Sequence, residues 1–295
     1  MVKIAAMPKC WIESICSGEI SLDQWIDISC GLECDGLELY SGFLTSHDDK
    51  YLSGIRSKVE SLGMSIPMMC YSPDFTVKDK DDLKKEIEKQ KEMIRVTAVL
   101  GGKFCRTLSG QRRPDLSIED GISQVADAIC ACLPTAEQYG VKLVMENHYK
   151  DPFWKYPEFA QKKNVFLGII NRIDSPFFGV QYDPSNAVMA GDDPIELLDQ
   201  VISRVATMHA SDRYLVPGAT LSELTLSDGT IGYSDKLCHG VTGKGLNDYD
   251  AIFMRLKNAG FDGWISIEDG VNGFDEMKES IDFLKMMRKK YYGGI

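Results

Sequence analysis

The stretch KLVMENHY, residues 142–149, decides the fold. Leu143, Val144 and Met145 form the apolar run of a buried strand, and Glu146, Asn147 and His148 follow at once. A strand core excludes a carboxylate, an amide and an imidazole in a row unless each finds a partner. The run therefore reads as a strand that stops packing and opens onto chemistry. Comparable short apolar runs stand at 3–7, 36–39, 65–69, 104–108, 178–182, 205–208 and 264–267.

Amphipathic segments separate these runs. Those at 79–101 and 117–140 open on the capping residues Asp79 and Ser117 and close on Gly101 and Gly140, as helices do. Pro134, inside the second, predicts a kink. The tail 281–295 reads as a last helix with basic residues near its C-terminus, where the helix dipole favours them. Eight strands, each followed by a helix at roughly even spacing, predict an α/β chain folded as a (β/α)₈ barrel, one domain over 1–295. The one irregularity is a long loop, 211–247, inserted after the seventh strand, and loops of that length are often binding segments or lids. A doubly wound sheet would carry a glycine-rich turn after its first strand, which AMPKCWIES (6–14) lacks.

Composition narrows the function. The 295 residues carry a net charge of −11, with no basic tract, which argues against nucleic acid as a partner. No apolar stretch has the length of a membrane span or signal peptide, so a cytoplasmic protein without a membrane partner is expected. Nine cysteines lack paired zinc-site spacing and read as reduced thiols.

In a (β/α)₈ barrel the active site is built at the C-terminal ends of the strands. Those ends carry Glu38, Arg106, Glu146 with His148, Asp183, His209 and Glu268. Glu146, Asp183, His209 and Glu268 fall on four consecutive strands, so they converge on one mouth. Three carboxylates gathered there repel one another unless a cation lies between them. A single divalent metal ion answers this, and oxygen-rich donors with one imidazole favour Mn²⁺, with Mg²⁺, Co²⁺ or Zn²⁺ as alternatives. Glu38, Arg106 and His148 are expected to face substrate from the same rim, and His239 and Lys244 to reach it from the long loop.

LVMENH (143–148), GVQYDPSN (179–186), MHASD (208–212) and ISIED (265–269), in this order, resemble the xylose-isomerase-like TIM-barrel superfamily of sugar isomerases and epimerases, with the ketose 3-epimerase layout. The resemblance implies that Glu146 and Glu268 are both metal ligands and acid/base catalysts, and that Asp183 and His209 are ligands only. It implies substrate contacts from Arg213 and from Asn186, which stands where the family often has a histidine. A homodimer or homotetramer acting on a small sugar is the implied assembly. The chemistry expected is epimerisation or isomerisation of a keto sugar or related polyol, with a glutamate moving a proton through a metal-bound enediolate. A keto-sugar lyase or dehydratase, including one for keto-glycosides, would use the same ligands, and a sugar-binding barrel without catalysis is the non-enzyme alternative.

Overall fold

The computed structural model describes residues 1–293, so the last two residues of the tail, Gly294 and Ile295, lie outside it. Its strands are β1 (Lys3–Ala6), β2 (Gly36–Leu37), β3 (Leu39–Tyr40), β4 (Met68–Cys70), β5 (Phe104–Thr107), β6 (Lys142–Glu146), β7 (Phe178–Tyr182), β8 (Val205–Ala210), β9 (Asp212–Leu215), β10 (Leu237–Gly240) and β11 (Trp264–Ile267). Nine of them form one parallel sheet in the order β2-β1-β11-β8-β7-β6-β5-β4-β3. Its two edges, β2 and β3, are halves of a single strand interrupted at Glu38, so the sheet returns on itself as a barrel. The expected (β/α)₈ architecture is what the chain adopts.

Alternation along each strand sorts side chains between two environments. Leu143 and Met145 join the large core between sheet and helices, while Val144 joins a small cluster with Met7, Met68 and Cys70. The same parity sends Met208, Ala210, Ile265 and Ile267 into the large core. Glu146, His209 and Glu268, each one position out of step with those residues, are thereby carried to the other side of the sheet. Burying Leu143 and Met145 completely contributes roughly 1.5–3 kcal/mol each, which locks the register that aims Glu146.

The two helices expected from capping residues are present. Lys80–Val99 has Asp79 accepting from the N–H groups of Asp81 and Asp82, and Ile118–Tyr139 has Ser117 accepting from Asp120 N–H. Gly140 closes the second with φ +62°, and Pro134 lies inside it without ending it. The tail helix spans Phe274–Tyr292. The run expected at 65–69 enters the sheet later, at Met68, because Pro67 has no N–H to give and Ser65 makes only an isolated bridge to Gly36.

The segment 211–247 is not an unstructured loop. β9 and β10 pair as an antiparallel hairpin, with a short helix, Leu221–Leu224, between them. Ile231 and Leu237 pack with Tyr149 and Met189 of the barrel, and the N–H groups of Ile231 and Gly232 both donate to Met189 O. After β10 the chain turns around Asp212. That buried carboxylate accepts from the N–H groups of Gly243, Gly245 and Asn247. A Cβ at Gly245 would lie 2.3 Å from Arg213 O, so only glycine fits so close to the clasp. Among the described residues, no helix is long and apolar enough to cross a membrane.

Candidate metal centre and active site

Ligand atoms of Glu146, Asp183, His209 and Glu268 all lie within 4.8 Å of one another, and all four residues are buried. β6 ends in Glu146, β8 carries His209, and Asp183 and Glu268 directly follow β7 and β11. Asn147 ties two of these strand ends together. Its side chain donates to Asp183 O at 2.6 Å and accepts from Asp183 N–H at 2.8 Å. Asp183 also caps the helix Pro184–Ala190 by accepting from Asn186 N–H.

His209 is held by its two nitrogens. Nε2 lies 2.6 Å from Glu38 Oε1, while Nδ1 faces the cluster, 3.1 Å from Glu146 Oε1 and 3.7 Å from Glu268 Oε2. Burial alone would pull this imidazole's pKa down, but Glu38, Glu146 and Glu268 push it well above the ordinary histidine value. With Nε2–H donated to Glu38, Nδ1 is the nitrogen that would give up its proton to bind an ion. Glu38 therefore sits behind His209, fully buried and 2.8 Å from the Cys70 thiol. That corrects the expectation that Glu38 faces substrate.

The two catalytic candidates have different neighbours. Arg106 donates to Glu146 Oε2 at 2.8 Å, and Asn186 donates to Glu146 Oε1 at 3.2 Å. Burial pushes the Glu146 carboxyl up, yet His209 and Arg106 outweigh it and hold it well below the usual range. Glu268 Oε1 lies 3.2 Å from Lys9 Nζ. Burial opposes its charge too, but Lys9 and His209 bring its pKa down to about 2. Asp183 goes the other way: burial and the charges of Glu146 and Glu268 push it up to about 7. It accepts from the Ser211 hydroxyl at 3.1 Å. A donor set of three buried carboxylates and one imidazole, with one carboxylate left short of positive charge, fits a divalent cation.

A cavity of about 380 Å³ opens on this cluster. Arg106, His148, Asn186, Arg213, His239 and Glu268 line it, as does Lys9 from the segment after β1. His148 is set by Glu158, whose Oε2 lies 3.2 Å from His148 Nδ1 and whose Oε1 accepts from Ser109 N–H and the Ser109 hydroxyl. Arg213 and His239 stand directly opposite each other in the β9–β10 hairpin. Lys244 does not join them; its side chain is 62% exposed and pairs with Glu279, on the helix Phe274–Tyr292. That corrects its placement at the mouth. Of the aromatic residues near the rim, Tyr40, Phe153 and Tyr233 border the cavity, whereas Trp11 packs edge-on against Trp25.

Two important residues escaped the sequence reading. Lys9, in MPKCW, looks like a surface lysine, and only its position two residues beyond the first strand's apolar run hinted otherwise. Glu158 lies in a loop with no periodic signal, yet it is fully buried. A wider cleft of about 860 Å³ lies at the other end of the barrel, around the strand starts Phe104, Lys142, Phe178 and Val205. It holds none of the cluster residues.

The chain is thus a parallel barrel with a cluster of three carboxylates and one imidazole at its C-terminal mouth, a set that fits a metal ion. The chain belongs to the xylose isomerase-like TIM barrel family, whose model matches residues 30–287. It is 30% identical over 131 residues to the 3-oxo-isoapionate decarboxylase of Pectobacterium atrosepticum. That match spans 44% of this chain and 40% of the relative, less than half of either. A D-tagatose 3-epimerase-like protein shares the fold with a TM-score of 0.75 at 19% identity, over 98% of each chain. So does the IOLI protein, solved with a zinc atom, with a TM-score of 0.75 at 17% identity over 99% of this chain and 100% of that one.

Proposed function

We propose that the chain is a divalent-metal-dependent epimerase or isomerase of a keto sugar or related polyol. The observation that carries this reading is a pair of glutamates, Glu146 and Glu268, in one buried cluster with Asp183 and His209, each against its own cation, Arg106 for the first and Lys9 for the second. A proton-abstracting base must be ionised and within reach of a substrate C–H. Glu268 meets both conditions, since it lines the cavity. Glu146, held by Arg106 and Asn186, would first have to take a proton from solvent or a substrate hydroxyl before it could give one back to carbon.

Glu146, Asp183, His209 and Glu268 would hold the ion, with Mn²⁺ first and Mg²⁺, Co²⁺ or Zn²⁺ as alternatives; the zinc in the IOLI protein supports a metal in this barrel. When bound, the metal supplies Lewis-acid polarisation of a carbonyl and a template for the neighbouring hydroxyl. The protein's own groups do the rest. Lys9 keeps Glu268 ionised before the reaction, and its ammonium is itself held above the ordinary lysine value, since Glu268 offsets the effect of burial. Arg106, His148 and Asn186 offer donors to substrate oxygens at the cavity wall.

A lyase acting on a keto sugar is the second reading, favoured by the decarboxylase relative. The same proton-moving centre would then break a bond next to the carbonyl. Solvent-deuterium exchange separates the readings. Mn²⁺-loaded protein in D₂O should exchange a carbon-bound hydrogen of at least one ketose in a panel, and Glu268→Gln should remove the exchange. Substrate consumption with release of water or CO₂ would select the lyase. Neither exchange nor consumption on any sugar would leave only a sugar-binding barrel.

A further inference from the structure

The cavity contains a buried cation that no protein carboxylate matches. Arg213 is 6% exposed, and its side chain makes one hydrogen bond, from Nη2 to His239 Nε2 at 3.0 Å. Its Nε–H has no partner. Because a guanidinium only donates, His239 Nε2 must accept, so the imidazole proton sits on Nδ1, which is also buried without a partner. Two donors are therefore left open on neighbouring residues of the hairpin, both of which line the cavity.

The surroundings supply no counter-ion. Among the described residues Arg213 forms no ion pair, and its guanidinium stacks near the Tyr233 ring, 6.0 Å from the centroid. Glu268 is engaged by Lys9, and Asp183 by Ser211 and Asn186 N–H, although both carboxylates feel the guanidinium at longer range. Glu13 and Asp151 also line the cavity without reaching it, and Lys150 lies at the rim. Burial lowers the Arg213 pKa and, with the charges of Arg213 and Lys9, takes His239 down to about 3, so His239 stays neutral. Leaving a guanidinium buried and unmatched is costly, and proteins otherwise pair it or aim it at a ligand.

We infer that Arg213 and His239 form a subsite for an anionic group on the substrate, a carboxylate or a phosphate, so that the natural substrate is an acidic keto sugar. Arg presents parallel N–H groups that match either anion in a two-point contact. The hairpin thereby reads one end of the substrate while the metal-type cluster acts on the other. This inference rests on the cavity being the substrate site of the proposed epimerase.

The test is calorimetric binding to Mn²⁺-loaded protein, read in parallel with deuterium exchange. The probes are D-fructose, its 1- and 6-phosphates, and 2-keto- and 5-keto-D-gluconate. At least one anionic probe should bind roughly 10- to 100-fold tighter than fructose, the range of a charge-assisted contact. Which probe wins distinguishes carboxylate from phosphate and fixes the end that is read. Arg213→Gln should bring the ratio to about one, and Arg213→Lys should keep part of it, with an Mn²⁺ titration of each variant confirming an intact fold. Equal affinity for all five probes, or a preference that survives in Arg213→Gln, would overturn the subsite. Exchange without an anion preference would remove the subsite and leave the epimerase. An anion preference without exchange would keep the subsite and remove the epimerase.

Discussion

At the scale of single residues, the centre depends on side chains that act through others. Glu38 touches His209 Nε2 and lies away from the cavity, so in the proposed centre it would fix which nitrogen faces the ion. Removing such a partner typically lowers metal affinity about 10- to 100-fold, and that loss is expected for Glu38→Gln in an Mn²⁺ titration followed by electron paramagnetic resonance. Lys9 differs, because it touches a glutamate that lines the cavity. Lys9→Met should slow deuterium exchange while leaving Mn²⁺ stoichiometry at its wild-type value; an unchanged exchange rate would deny Lys9 this role. The four cluster residues were legible in the sequence because strand ends are marked by where apolar runs stop. Lys9 and Glu158 were not, since a polar residue in a loop looks the same whether it turns inward or outward. Lys244 shows the converse: a cation close to the site in sequence turns outward because Gly243 and Gly245 wrap the chain around Asp212.

At the scale of elements, the parity of β6 explains the opening stretch. Leu143 and Met145 pack outward, so Glu146 and His148 share the inner face, and Asn147 is left to clip β6 to β7. The hairpin was legible only as a long insertion. Its strands are four residues each and are separated by 21, too short and too distant to pair by pattern alone. Its docking rests on a small apolar cluster, so Ile231→Ala should cost it roughly 2 kcal/mol, the low end for a buried Ile. Limited proteolysis within 216–236 should then be faster at an unchanged barrel melting temperature. The loop after β4 is anchored differently. Asp74 accepts from Arg113, Gln111 and Thr76, and these contacts outweigh burial to hold its pKa below the ordinary value. A carboxyl lowered on folding adds stability above about pH 4, the unfolded value, and loses it as pH falls through the folded pKa. Asp74→Asn should therefore lower the melting temperature at pH 7, and the gap to the wild type should close in acid.

At the scale of the whole molecule, pairing of the first barrel strand with the last is what brings the start and end of the chain to one centre. β1, followed by Lys9, pairs with β11, followed by Glu268, so residues 259 positions apart in sequence meet at 3.2 Å. The architecture could be read from the spacing of apolar runs, because eight strands with intervening helices allow few other solutions. What lies between the strands followed no such period, and most of the cavity wall comes from there. The centre also couples metal to fold: a cation binding only the folded cluster should raise the melting temperature, by an amount that grows with its concentration, and Asp183→Asn should blunt that rise. The most direct test of the account follows deuterium exchange into the most reactive ketose while metal-stripped protein is titrated with Mn²⁺. The account predicts no exchange in the stripped protein and a rise that levels off at about one ion per chain, the stoichiometry of a single four-residue centre. Full exchange in the stripped protein, or a plateau reached only well beyond one ion per chain, would contradict it.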